Sequence, residues 1–174
     1  APQVHGSQPM GVAVIDDTYV DCSHPDLTGK CATGFTLPAG SQCANFTTTG
    51  VGTHDHGTKV AALIAGQGDN GADYDGVESG VAPNITLFPF QVSDAFQEKN
   101  AMDCALQVNT INSTQLVHIL NISREHNLSP AQDTSICNAV CGGNQLIVAA
   151  AGNYACDGTY NRWPAAYNDE LPCN

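Results

Sequence analysis

Positive charge is scarce in this sequence. Five Lys and Arg residues stand against 17 Asp and Glu, a formal net charge of -12 over 174 residues. A field of that sign repels phosphate backbones and anionic lipid, which argues against nucleic acid and membrane surfaces as partners. It suits high solubility and the binding of cations. No apolar run has the length needed to cross a bilayer, and no paired Cys-x-x-Cys of the zinc-ribbon kind occurs. Repeats, low-complexity tracts and linker-like stretches are missing too. Residues 1–174 therefore read as part of a single domain, with enough apolar residues (42%) for a core.

Cysteine, by contrast, is plentiful. The eight residues Cys22, Cys31, Cys43, Cys104, Cys137, Cys141, Cys156 and Cys173 predict disulfides in an oxidising compartment, with a metal site as the alternative. The pairing stays open. Cys137 and Cys141, four apart on a predicted helix, would not bridge each other, so each is expected to find a partner elsewhere. Asn-x-Ser/Thr sequons at Asn45, Asn84, Asn112, Asn121 and Asn127 are candidate glycan acceptors. Asn121 is the exception, because it lies within an apolar run. The sequence opens at Ala1 without Met or a signal-like stretch, the form expected of a processed, secreted protein.

Four short apolar runs read as strands buried on both faces: Met10–Ile15, Asn84–Phe90, Leu116–Ile122 and Leu146–Ala151. Between them lie helical patterns. His56–Gly66 puts Val60, Leu63 and Ile64 on one side, and Asp94–Val108 repeats Ala101, Cys104, Ala105 and Val108 at three-and-four spacing. Ser129–Gly142 opens on Ser-Pro and ends in Gly-Gly. This alternation predicts an α/β fold, a three-layer, doubly wound, mostly parallel sheet with helices on both faces. Functional groups in such sheets gather at the carboxyl ends of the strands. Asp16, Ser123, and Gly152 with Asn153, follow predicted strands, and His56 opens a helix near the same end.

Asp16, His56 and Asn153 are suitable types for three roles in amide hydrolysis. These are an anion that orients a base, the base itself, and a donor to a developing oxyanion. Each alone is ambiguous, since a strand-end Asp or a helix-start His is often only a cap or turn residue. Their surroundings are more specific. VAVIDDTYVDCSHPDL (Val12–Leu27) resembles the aspartate segment of subtilisin-like serine proteases, and DHGTKVAALIAG (Asp55–Gly66) resembles the histidine segment. SGVAPNITLFPFQV (Ser79–Val92) is similar to the Gly-Val-Ala-Pro strand of that family, and LIVAAAGN (Leu146–Asn153) to its oxyanion segment. The four occur in the family's order over nearly the whole chain.

The resemblance implies Asp16 as triad acid, His56 as general base and Asn153 as oxyanion-hole donor. His54, two residues from His56, lacks the Gly-Thr and apolar helix that follow the latter. His118 reads as a satisfied core residue, His24 as a turn residue, and His5 and His126 as exposed. The resemblance also implies that Leu120, Asn121, Ile122, Ser123 and Arg124 wall a groove in which a polypeptide substrate adds as a strand. Ala149, Ala150, Ala151 and Gly152 would line its other side. Two departures stand out: Ser123-Arg124-Glu125-His126 replaces the family's Ser-Leu-Gly-Gly, and Asp17-Thr18 follows Asp16 where a small residue and Gly are usual.

Calcium is the cofactor to expect, if any. Asp69, Asn70, Asp73 and Asp75 sit in a Gly-rich loop whose oxygen ligands suit a hard cation. Asp26, in His-Pro-Asp-Leu, matches a position where some relatives bind calcium. A solvated acidic loop is the alternative.

The family's serine lies downstream of the oxyanion asparagine, in a Gly-Thr-Ser segment, and no serine follows Asn153 here. The expectation is therefore an N-terminal portion of a secreted endopeptidase domain, its sheet incomplete at the C-terminal end. The nucleophile would come from a missing segment or companion chain, and a propeptide is a further expected partner. Without that remainder the portion is expected to expose an apolar sheet edge and to be unstable alone. A pseudoprotease serving as a binding module, and an unrelated doubly wound domain, are the rival readings.

Overall fold

All four predicted apolar runs contribute a strand to one parallel sheet. The computed structural model describes residues 10–33, 43, 56–68, 79–112, 116–126, 130–153 and 164–165. Its elements are β1 (Gly11–Asp16), a 3-10 turn (Pro25–Leu27), α1 (His56–Ala65), β2 (Thr86–Gln91), α2 (Ala95–Ile111), β3 (Ile119–Ile122), α3 (Pro130–Cys137) and β4 (Leu146–Ala149). The strand order is β2-β1-β3-β4, and every pairing is parallel.

β1 is interior and buried along its whole length, and its alternating side chains divide the core in two. Val12 and Val14 face α1, packing with Leu27, Ala61, Ala65 and Leu87. Ala13 and Ile15 face the other way, onto Ala101, Met102, Ala105 and Val108 of α2, with Leu120 and Ile122 of β3. Helices thus cover both faces, the doubly wound three-layer arrangement expected from the alternation. Among the described residues no helix is long and apolar enough to cross a membrane.

Local chemistry fixes where the elements stop. Gly80, Val81 and Ala82 donate their main-chain N–H groups to Gly66, Leu63 and Ile64, satisfying carbonyls at the end of α1. Asp94 caps α2 by accepting from the Gln97 N–H at 2.8 Å. The Asn112 amide donates to Val108 O at 2.8 Å and closes that helix. β3 starts at Ile119, not at Leu116. The Asn109 side chain takes the Leu116 and Val117 N–H groups at 2.8 and 2.7 Å, in place of a strand partner.

Further expectations need correction. β4 is not buried on both faces: it is an edge of the described sheet, and Leu146 and Val148 are exposed while Ile147 and Ala149 pack on the core. Cys141 has no disulfide partner. It is free and exposed on a π turn, Asn138–Gly142, that follows α3, while Cys137 is disulfide-bonded. Among the described residues Cys22 bridges Cys31 and Cys43 bridges Cys104. The second closes a loop of 61 residues and ties position 43 to α2. Chain-entropy arguments give a link of that span about 4 kcal/mol.

Candidate active site

The candidate residues gather at the carboxyl edge of the sheet. Asp16 is the last residue of β1, in register with Gln91 of β2, and one step back Ile15 is level with Ile122 of β3. Ile122 is in turn level with Ala149 of β4. Asp16 is fully buried. Its Oδ2 lies 2.7 Å from Nδ1 of His56, the first residue of α1, whose side chain is 57% exposed. A buried carboxylate thus holds one nitrogen of an accessible imidazole.

Thr18 makes this geometry. Asp16 Oδ1 accepts from the Thr18 N–H and from its hydroxyl, each at 2.9 Å. The same hydroxyl accepts from the Gly57 N–H at 2.6 Å, so one side chain ties Asp16 to the start of the helix that carries His56. Thr58 adds a second tie, accepting from the Asp21 N–H at 2.9 Å. Sequence reasoning treated Thr18 only as a departure from the family pattern. The signal was there nonetheless, because Asp-x-Thr is an Asx-turn sequence in which the carboxylate caps an N–H two residues on.

Burial pushes the Asp16 carboxyl above its usual range, and the hydrogen bonds from Thr18 and the interaction with His56 offset this only in part.

Gly57 is where the helix meets the strand loop. A Cβ there would lie 2.9 Å from both Thr18 O and Tyr19 O, which are main-chain atoms. Gly57→Ala must therefore shift the start of α1 and carry His56 with it. Any reaction that uses His56 is expected to slow about 10²-fold, the effect of an ångström-scale displacement of a reacting group. The unfolding free energy should drop by about 1–3 kcal/mol. Kinetics and denaturant unfolding of the same preparation check both.

Asn153 is exposed and lies just past the end of β4, beyond Gly152, whose φ of 87° is in the left-handed region that glycine favours. Since β3 lies between β1 and β4, the end of β4 at Ala149 stands two strands from Asp16 at the same edge, and Asn153 follows it by four residues. The end of β3 occupies the interval.

β3 itself is committed to the sheet. Its main chain is paired with β1 on one side and β4 on the other. The Leu120 and Ile122 side chains are fully buried, and the Asn121 amide donates to Ser123 Oγ at 2.7 Å. A strand cannot add at Leu120, Asn121 or Ile122, because no main-chain edge is open there. Only the residues past Ile122 leave the sheet. Ser123 donates its N–H to Ile15 O, and Arg124 reaches back to Val92 O at 3.1 Å. On the far side Ala149 ends β4, the Ala150 N–H donates to Ile122 O, and Ala151 is exposed.

The other histidines divide. His118 Nδ1 accepts from the Gly11 N–H at 3.1 Å, a satisfied structural role. His24 caps the 3-10 turn. His126, expected to be exposed, has a side chain only 8% accessible, with Nε2 3.1 Å from Glu98 Oε1. A carboxylate 28 positions away in sequence had turned it inward.

Asp69, Asn70, Asp73 and Asp75 lie outside the described residues. The Asp26 carboxylate faces His24 at 3.7 Å and belongs to no group of three metal-ligating side chains among the described residues. The one such group there is Asp16, Asp17 and His56, the hydrogen-bonded pair with an exposed neighbour.

The chain is similar to known serine proteinases in sequence and to known proteases in structure. A thermophilic serine proteinase from Bacillus sp. (strain AK1) is 27% identical over 166 residues, 95% of this chain and 38% of that protein. An extracellular serine proteinase from Thermus sp. (strain Rt41A) is 30% identical over 146 residues, 81% of this chain and 31% of that protein. The chain thus spans about a third of the length of these relatives. Among solved structures, a psychrophilic protease superposes with a TM-score of 0.63 at 26% identity, covering 83% of this chain and 46% of that one. The self-cleaved protease domain of PatA gives 0.54 at 26% identity, covering 90% and 53%. The pattern of the subtilase family matches residues 8–171, the stretch holding the Asp16–His56 pair and Asn153, and the chain belongs to that family.

Proposed function

We propose that this chain supplies the acid, the base and one oxyanion donor of a secreted serine endopeptidase acting on polypeptides. The observation that carries the reading is the 2.7 Å contact between buried Asp16 and exposed His56 at the carboxyl edge of a parallel sheet. Asp16 accepts from Nδ1–H, which leaves Nε2 as the acceptor nitrogen of the neutral imidazole. Nε2 takes the proton of the serine hydroxyl as its oxygen bonds to the peptide carbonyl carbon. The carbonyl oxygen becomes an oxyanion, towards which Asn153 would donate. Collapse breaks the C–N bond, and the leaving amine takes the proton from Nε2. Water then hydrolyses the acyl-enzyme by the same route.

The substrate would lie across the end of β3, pairing with Ser123 and the residues after it and flanked by Ala149–Gly152. The serine would belong to sequence beyond these 174 residues, in the same polypeptide or on a companion chain; none follows Asn153. Disulfides and a relative described as extracellular support secretion.

The test is labelling of the complete protein with a fluorophosphonate, followed by peptide mapping. A covalent adduct on a serine outside this chain is expected, together with cleavage of an unfolded protein substrate. A folded, complete protein that takes no label and cleaves nothing would overturn the proposal in favour of a binding module.

A further inference from the structure

Glu98 is a fully buried carboxylate that the proposed chemistry does not use. It projects from α2 beneath the segment leaving β3. Its Oε1 accepts from Gln132 Nε2 of α3 at 3.0 Å and faces His126 Nε2 at 3.1 Å. Its Oε2 lies 3.5 Å from Arg124 Nε, at ion-pair distance, with the Arg124 side chain only 12% exposed. Arg124 also donates to Val92 O at 3.1 Å and Asp94 O at 3.4 Å. The Val92 N–H, in turn, donates to the main-chain oxygen of Asp16. One carboxylate therefore pairs by charge with Arg124 and contacts His126 at hydrogen-bond distance two residues on.

Burying a charge is costly unless it is paired and hydrogen-bonded, and an apolar residue at position 98 would pack α2 without that cost. The cluster is placed where a strand leaves the sheet and its backbone loses its ladder partners. We propose that Glu98 is a positioning residue for peptide binding. By anchoring Arg124 and His126 it fixes the main chain of residues 123–126, the rim on which a substrate strand adds. This rests on the endopeptidase reading above.

The test uses the complete enzyme, with active sites counted by fluorophosphonate, and two substrates. One is a peptide with four residues before the scissile bond, and the other a single-residue ester that does not lie along the rim. Glu98→Gln keeps the acceptor for Gln132 and His126 but turns an amide N–H towards Arg124. Glu98→Asp keeps the charge but withdraws the carboxylate by one methylene from Arg124 and His126, and it carries the test if the first variant does not fold. For the peptide, KM should rise about ten-fold with kcat little changed, while the ester's constants stay within about two-fold of the native enzyme. Equal effects on both substrates, or none on either, would overturn the positioning role while leaving the protease reading intact. A native enzyme that takes no label would overturn both.

Discussion

Replacing His56 with alanine in the complete enzyme should lower kcat on the order of 10⁶-fold, a scale taken from loss of the base in the subtilisin triad. Stability should hardly change. The His56 side chain is 57% exposed at the first position of α1, so its loss opens no cavity. The ties that set the start of the helix run through Thr18 and Thr58, which remain in place. Asp16 keeps both bonds from Thr18 at Oδ1, and water can enter where the imidazole stood. An unfolding free energy within about 1 kcal/mol of the native enzyme, with turnover gone, is the expected pair of results. Protein cleavage unchanged in the variant would exclude His56 as the base. A large loss of stability with modest loss of turnover would make it a structural cap.

The candidate residues could be picked out because they sit at element ends, and element ends leave local marks. Asp16 closes a continuous apolar run, and His56 opens a run with helical spacing. The sheet itself was legible because a parallel strand covered on both faces must be apolar throughout, as β1 is. What escaped was set by partners distant in sequence. Glu98 has no local sign of being buried, since its partners His126 and Gln132 lie 28 and 34 positions away. The start of β3 depends on the Asn109 side chain, reaching from another element. The sequence of β4 says it should be buried, and yet its outer face is open. Burial is a property of neighbours, and the apolar pattern does not name them.

Asp16→Asn should separate activity from stability in the opposite sense to most active-site changes. Asn can keep both bonds from Thr18 only with its oxygen at the Oδ1 position, which leaves its NH₂ facing His56 Nδ1. That nitrogen must then accept, so the neutral imidazole carries its proton on Nε2 and cannot act as base towards the serine. A fall in kcat of about 10⁴-fold is expected, the scale for a triad held in the wrong tautomer. Stability runs the other way. Burial is the largest influence on Asp16 and raises its pKa above the usual 3.8, so the folded state binds this proton more tightly than the unfolded chain does. The contribution of such a group to stability is fully present below the unfolded value of 3.8 and is lost as pH rises through the raised folded value. At neutral pH the ionised carboxylate is therefore a net cost, which an amide does not carry. Denaturant unfolding at pH 7 should show Asp16→Asn at least as stable as the native enzyme. The difference should shrink, or reverse, as the buffer is taken towards pH 4. A variant clearly less stable at pH 7 would mean that the bond to His56 outweighs desolvation. Asp16 would then support the fold as well as orient the base, and the cost of burying it would have to be sought elsewhere.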